Sequence, residues 1–151
     1  MKVEVAQVPA LRHQFNPLAL ACLAQLLLLS SAMAADIRVE VTKVQTPGEV
    51  RLALYNQAGF LVKPVQVQTQ SALTDRISIV ISGVAPGRYA VSAFLDLNAN
   101  KKLDTNSMGI PSEPYGMSRG AKGKLGPPKF EDAAFDVPDA GASVTIELSK
   151  W

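Results

Sequence analysis

The sequence predicts an all-β protein, a single antiparallel β-sandwich of immunoglobulin-like or transthyretin-like kind with about seven strands and one long loop. Two observations predict it. Apolar residues recur at every second position in several short runs, and turns rich in glycine and proline separate those runs. The length agrees, since 151 residues suit one domain on the usual range of roughly 100 to 200 residues.

Seven runs carry this alternation, and each presents one face to a core. They are 37–41, 50–55, 62–69, 77–81, 88–95, 130–137 and 143–148. Run 62–69 is the least regular, because Pro64 lacks an amide hydrogen and confines the run to a sheet edge or a strand start. No helix is expected beyond a single turn near 57–61 or 101–107.

The N-terminal 34 residues read as a signal peptide, which leaves 35–151 as the β-sandwich domain. Lys2 and Arg12 precede an apolar run over 18–29, and the small residues Ala32 and Ala34 follow it. This run is too short for a membrane span, which needs about 20 residues. Cleavage after Ala34 therefore predicts a periplasmic or secreted protein without a transmembrane span.

Removal of that segment would also remove Cys22 and His13, the only cysteine and the only histidine. The remaining chain could form no disulfide and could use no cysteine or histidine chemistry. Residues 116–120 match the G-x-S-x-G motif of hydrolases, but that motif needs a histidine partner. We therefore expect no catalytic residues and no enzyme.

Charge excludes one class of partner. The full chain carries a net charge of +2, and removal of Lys2, Arg12 and Glu4 leaves +1. Nucleic-acid-binding proteins present a basic face or stripe, so no nucleic-acid partner is expected.

The stretch 96–129 interrupts the strand pattern. It contains 34 residues rich in Gly, Pro, Asn and Lys, whereas loops above about 12 to 15 residues are uncommon unless functional or disordered. This loop is therefore the candidate site.

The loop begins with "DLNANKKLD", which places oxygen-bearing side chains at positions 1, 3, 5 and 9 of a calcium-loop pattern. These residues are Asp96, Asn98, Asn100 and Asp104. The pattern fails at Lys101, where glycine normally makes the turn, and at Ser107, where a bidentate glutamate is normal. Two interpretations stay open: a weak calcium site, or a turn in which these side chains bond their own backbone.

Further along the loop, "GIPSEPYG" (109–116) has two prolines and two glycines that restrict the backbone around Glu113 and Tyr115. Tyr115 could anchor a ligand by stacking or hydrogen bonding, or pack onto the end of the sandwich. The predicted binding loop comprises Glu113, Tyr115, Ser118 and Arg119.

The run "PGRYAVSAFLDLNANKKLDTNSMGIPSEPYGMSRGAKGKLGPPKFEDAAFDV" resembles the domain-of-unknown-function 2141 family of secreted bacterial proteins. The shared features are the Asp-x-Asn-x-Asn loop, Gly-Ile-Pro-x-Glu-x-Tyr-Gly and a Pro-x-Phe-x-x-Ala return. The resemblance implies a signal peptide, a small β-sandwich and an exported location, and it implies no activity. Lys101 departs from the family pattern, which has glycine there.

Together these features predict an exported binding or docking domain that uses the 96–129 loop to bind an unknown protein or small ligand. The alternative is a structural protein associated with the cell envelope that takes no small ligand. A disordered loop would favour the alternative.

Overall fold

The computed structural model describes residues 34–45, 47–124 and 126–150. Except for Ala34, the predicted signal peptide lies outside them. The strands are β1 (Ala35–Thr42), β2 (Glu49–Tyr55), β3 (Gln66–Ser71), β4 (Arg76–Val84), β5 (Gly87–Asp96), β6 (Tyr115–Met117), β7 (Phe135–Val137) and β8 (Ala142–Glu147). A 3-10 turn at Ser118–Gly120 follows β6, and a one-turn helix α1 (Phe130–Ala133) precedes β7. The all-β prediction is confirmed.

The strands form two sheets. One is three-stranded, in the order β4-β1-β8, and the other is five-stranded, with the order β3-β2-β5-β6 and β7 paired to the start of β5. β1 and β8 run parallel, whereas the other strand pairs are antiparallel. The prediction of a purely antiparallel sandwich was therefore wrong at this pair. Side-chain alternation is the same in both strand directions, so it carries no information about direction.

The core lies between the sheets and is built from the inward positions that the alternation predicted. Ile37, Val39 and Val41 of β1 are fully buried. Further core residues at predicted inward positions are Val50, Leu52, Leu54, Ile77, Ile79, Ile81, Val91, Ala93, Leu95, Ile146 and Leu148. Each large side chain buried in this way contributes about 1.5 to 3 kcal/mol relative to exposure, so the core supplies the main stabilisation.

The predicted strand 130–137 is instead α1 followed by the shorter strand β7. Phe130, Ala133 and Ala134 are spaced as one helical face, and they are buried in a second apolar cluster with Ala90 and Met117. This cluster lies on the outer face of the five-stranded sheet, because Ala90 faces away from the main core. Helical spacing within a short run was the signal that the period-two interpretation missed.

The long loop contains β6, which the sequence did not predict. β6 pairs with Ser92–Phe94 of β5. On its other side, Tyr115 exchanges two backbone hydrogen bonds of 3.1 and 3.0 Å with Ser149. A Cβ on Gly116 would lie 2.4 Å from the carbonyl oxygen of Glu147, so only glycine permits this approach of β6 to the end of the chain.

Candidate functional site

The site begins where β5 ends, at Asp96. Its carboxylate is 1% exposed and accepts hydrogen bonds from the backbone N–H groups of Asn100 at 3.2 Å and Lys101 at 2.8 Å. The guanidinium of Arg51 lies 4.0 Å from the same carboxylate. A buried carboxylate needs such donors, and here the donors come from the turn that Asp96 initiates.

The other three predicted metal ligands converge on one another. The side-chain amides of Asn98 and Asn100 donate to the two carboxylate oxygens of Asp104, at 2.7 and 2.9 Å. Their amide oxygens accept from the backbone, Asn98 from the N–H of Asn100 at 3.2 Å and Asn100 from the N–H of Lys102 at 2.8 Å. The structure thus brings all four residues together in one hydrogen-bonded turn.

Glu113 lies beneath this turn and joins its two ends. The side chain is 4% exposed; one oxygen accepts from the N–H of Leu97 at 2.8 Å and the other from the N–H of Asp104 at 3.0 Å. The sequence placed Glu113 in the binding loop but gave no signal for these two contacts, which span 16 and 9 positions. We call Asp96, Asn98, Asn100, Asp104 and Glu113 the clasp.

Calcium binding at Asp96, Asn98, Asn100 and Asp104 stays a prediction, and the clasp defines what it would require. Both asparagine amides point their NH2 groups at Asp104, so a cation coordinated by the asparagine oxygens and Asp104 would have to displace these bonds. Within the described parts of the chain, no three His, Cys, Asp or Glu side chains are grouped to hold a metal ion. Lys101 has a φ of 68°, the left-handed conformation that glycine adopts most readily.

The clasp leads directly into a short hairpin over 104–112, which we call the arm. The N–H of Ser112 donates to the carbonyl of Asp104 at 2.8 Å, and the N–H of Asn106 donates to the carbonyl of Ile110 at 2.8 Å. The Asn106 side chain also accepts from the N–H groups of Met108 and Ile110, and Gly109 turns the chain with a φ of 74°. The predicted loop is therefore a structured element in this region.

The arm forms one wall of a groove of about 640 Å³ on the outer face of the five-stranded sheet. The groove floor comprises Ala53, Tyr55, Ser92, Phe94, Tyr115 and Met117. Leu103, Thr105 and 108–111 line the arm side, and Leu61, Lys124, Gly126 and Pro127 complete the rim. Most of this lining is apolar or aromatic.

Tyr115 occupies the centre of this arrangement, since its strand pairs with Phe94 and its ring lines the groove. Burial raises the pKa of the Tyr115 hydroxyl above 10.0, because the low-dielectric surroundings disfavour the phenolate. The neutral phenol can act as both hydrogen-bond donor and acceptor at physiological pH.

Ser118 and Arg119 have other contacts. Ser118 is fully buried; its hydroxyl accepts from the N–H of Val91 at 3.0 Å and donates to the carbonyl of Ala133 at 2.6 Å. The Arg119 guanidinium donates to the carbonyl of Ala134 at 2.9 Å. Both side chains thus tie the chain after β6 to α1, and of the four predicted binding-loop residues Tyr115 alone lines the groove.

Among the groove residues that the sequence analysis missed, Tyr55 and Phe94 are the two aromatic ones. Both occupy outward positions of strands whose inward positions fill the core. The available signal was an aromatic residue at an alternation position that is normally polar.

Fold and site define a two-sheet, all-β domain in which an ordered loop lies over one outer sheet face. The chain belongs to the bacterial family described as "Uncharacterized protein conserved in bacteria (DUF2141)", whose model matches residues 38–146. The resemblance seen in the sequence is thereby confirmed. Searches of curated proteins and of solved structures found no match. No helix in the described part of the chain is long and apolar enough to cross a membrane.

Proposed function

We propose that this protein is a binding module whose groove takes a small apolar or aromatic molecule. The observation that carries the proposal is the groove itself, an apolar concavity of about 640 Å³ with three aromatic residues in its floor. Small-molecule sites are concave, mostly apolar and about 300 to 1,000 Å³ in volume, with a few polar groups that orient the ligand.

The chemistry of the lining supports this class of ligand. The rings of Phe94 and Tyr115 can stack on a flat ligand, and burial of apolar surface contributes about 25 cal/mol per Å². Ser92, Thr105 and the Tyr115 hydroxyl supply hydrogen-bonding groups, and Lys124 supplies a positive charge at the rim. The described residues that line the groove include no acid and no histidine, so the proposal is binding without catalysis.

The clasp supports the proposal through the arm. It fixes both ends of the turn from which the arm emerges, so that the groove wall exists before a ligand arrives. A preformed wall lowers the ordering cost of binding. In this proposal the 96–129 loop acts as a binding surface.

The proposal includes export to the periplasm or beyond, based on the predicted signal peptide. Mass spectrometry of the protein recovered from the periplasm or the medium should find a mature chain that begins at Ala35. A lipid-modified N-terminus at Cys22, or an uncleaved chain, would contradict the predicted processing.

Binding can be tested with the fluorescent apolar anion anilinonaphthalene sulfonate as the probe. We expect saturable binding of one equivalent to the native protein, and a loss of roughly ten- to hundredfold in affinity for Phe94→Ala, since a buried Phe contributes about 1.5 to 3 kcal/mol. Val80→Ala is the matched control, because Val80 is an exposed apolar residue of β4, outside the groove. Binding that is absent, or equal in the parent and in Phe94→Ala, would favour a structural envelope protein without a small ligand.

A further inference from the structure

The outer edge of β3 is open. Within the described residues, β3 pairs with β2 alone and ends the five-stranded sheet. Such an edge presents backbone N–H and C=O groups that can pair with another strand, and natural proteins usually protect it with charged residues, proline or a bulge.

β3 lacks this protection. Its sequence, QVQTQS, contains no charged residue, and the uncharged stretch extends over 64–74. Every other described strand longer than three residues carries at least one charge. Pro64 lies before the strand and outside it.

Apolar side chains are exposed along the same segment. Val65 and Val67 are 46% and 53% exposed, and beyond the two ends of the strand Val62 is 88% and Leu73 84% exposed. Exposed apolar residues concentrated on one segment are typical of an interaction surface.

We propose that β3 pairs antiparallel with β3 of a second copy of this chain, so that two five-stranded sheets join into one. A two-fold axis perpendicular to the sheet keeps the outer faces continuous, so that residues of one face of β3 meet residues of the same face in the partner strand. Val65, Val67 and Thr69 then meet across the strands on the outer face, where β-branched pairs stabilise a sheet. Gln66, Gln68 and Gln70 lie on the other face, where the Gln66 amide donates to the carbonyl of Ser82 at 3.2 Å and the side chains of Gln68 and Gln70 can pair near the axis.

The same two-fold symmetry would also cover the exposed apolar residues beyond the two ends of β3. In an antiparallel pair, the start of one strand lies beside the end of its partner, so Leu73 of one copy approaches the 62–65 segment of the other. The absence of charge over 64–74 also means that no like charges meet at the axis. The pattern is thus self-complementary and fits a second copy of this chain.

Solution mass across a hundredfold range of concentration tests the pairing, using protein expressed with its own N-terminal segment. We expect a concentration-dependent dimer for the parent and at least a tenfold higher dimer dissociation constant for Val67→Lys, which places two like charges near the axis. Val80→Lys introduces the same charge at an exposed position of β4 and should dimerise like the parent. A parent that stays monomeric, or a Val67→Lys variant that dimerises as tightly as the parent, overturns the proposal.

Cross-linking keeps the test decisive if Val67→Lys fails to fold. In a Cys22→Ser background, single substitutions Val67→Cys, Gln68→Cys and Thr69→Cys are oxidised and compared with Ser78→Cys on β4. A disulfide needs Cα atoms about 4.4 to 6.8 Å apart, so the position nearest the axis should cross-link to its own copy. Cross-links no faster at any β3 position than at Ser78 overturn the proposal.

Discussion

The two outer sheet faces of this protein differ in a way that locates the site. On the three-stranded sheet, the outward residues are mostly charged or polar, and ion pairs link Arg76 to Glu40 and Lys43 to Glu147. On the five-stranded sheet, outward positions hold Phe94 and Tyr115, and the arm lies beside them. Both faces follow the same alternation, so the difference lies only in which residues occupy the outward positions. The outward face that carries aromatic residues is therefore the face beside which the arm lies, and the groove forms between them.

The largest expected loss of stability comes from a substitution in the core, compared with one on the outer face of the three-stranded sheet. Ile79 and Val80 are neighbours in β4, but Ile79 is 6% and Val80 42% exposed. Ile79→Ala should lower the free energy of unfolding by about 2 to 5 kcal/mol, whereas Val80→Ala should change it by no more than about 0.5 kcal/mol. Denaturant melts measure both. Similar losses for the two variants would show that this sheet has no distinct inner and outer face.

The next largest expected loss of stability comes from replacing an acid of the clasp, compared with replacing an exposed acid. Glu113→Gln keeps the size of the side chain but turns one hydrogen-bond acceptor into a donor that faces a backbone N–H. We expect a loss of about 1 to 3 kcal/mol, together with weaker probe binding because the arm loosens. Glu131→Gln, on the exposed surface of α1, is the control and should lie within about 0.5 kcal/mol of the parent. Equal stability of the two variants would argue against a structural role for Glu113.

A smaller change in stability is expected from substitutions that test the backbone conformation of the 96–104 turn. Lys101 has a φ of 68°, a conformation that costs about 1 kcal/mol for a residue with a side chain. Lys101→Gly should therefore raise the free energy of unfolding by up to about 1 kcal/mol. Lys102→Gly removes the same charge from the next position, which lacks a positive φ, and should be neutral or destabilising. Thermal melts that rank the two variants in the opposite order would show that charge, not conformation, controls this turn.

The smallest effect concerns the aromatic face at high pH. Burial raises the folded-state pKa of Tyr115, so the unfolded chain releases this proton first as pH rises. The contribution of Tyr115 to stability is complete below its unfolded pKa near 10.0 and is lost as pH rises through the folded pKa. Tyr115→Phe should therefore lose less stability than the parent between pH 9 and pH 11. Parallel pH profiles would indicate that the hydroxyl is equally solvated in both states.

The sequence predicted the fold well in the strands that bury one face in the core. Alternation alone identified the inward residues of β1, β2, β4, β5 and β8. Successive side chains of a strand point to opposite faces, so burial of one face places an apolar residue at every second position. It could not predict the parallel pairing of β1 with β8, because that depends on how the chain crosses between sheets. It also missed α1 and β6, which are short and stabilised by tertiary contacts rather than by local pattern.

For the site, the sequence predicted the convergence of Asp96, Asn98, Asn100 and Asp104, because their spacing is local. The role of Glu113 could not be predicted, since its partners Leu97 and Asp104 are 16 and 9 positions away. The groove was missed for the same reason. Its floor comes from three strands and its wall from the arm, so it exists only after the sheet and the loop have come together.

We expect the hydrogen bonds of the clasp to hold the loop that forms the groove wall without a metal ion, and the predicted calcium site at Asp96, Asn98, Asn100 and Asp104 is the competing hypothesis. A calcium site with a dissociation constant near 10⁻⁴ M would add about 1.4 kcal/mol of stability at millimolar calcium, whereas the clasp already supplies donors to the carboxylates of Asp96, Asp104 and Glu113. We therefore expect melting curves in calcium and in chelator to coincide.

The most direct measurement is amide hydrogen exchange at Leu97, Lys101 and Asp104 in the presence of a chelator, followed by NMR. Each of these N–H groups donates to a clasp carboxylate, so we expect slow exchange in chelator and no change when calcium is added. Rapid exchange in chelator that becomes slow only with calcium would contradict this expectation and would establish the loop as a metal site.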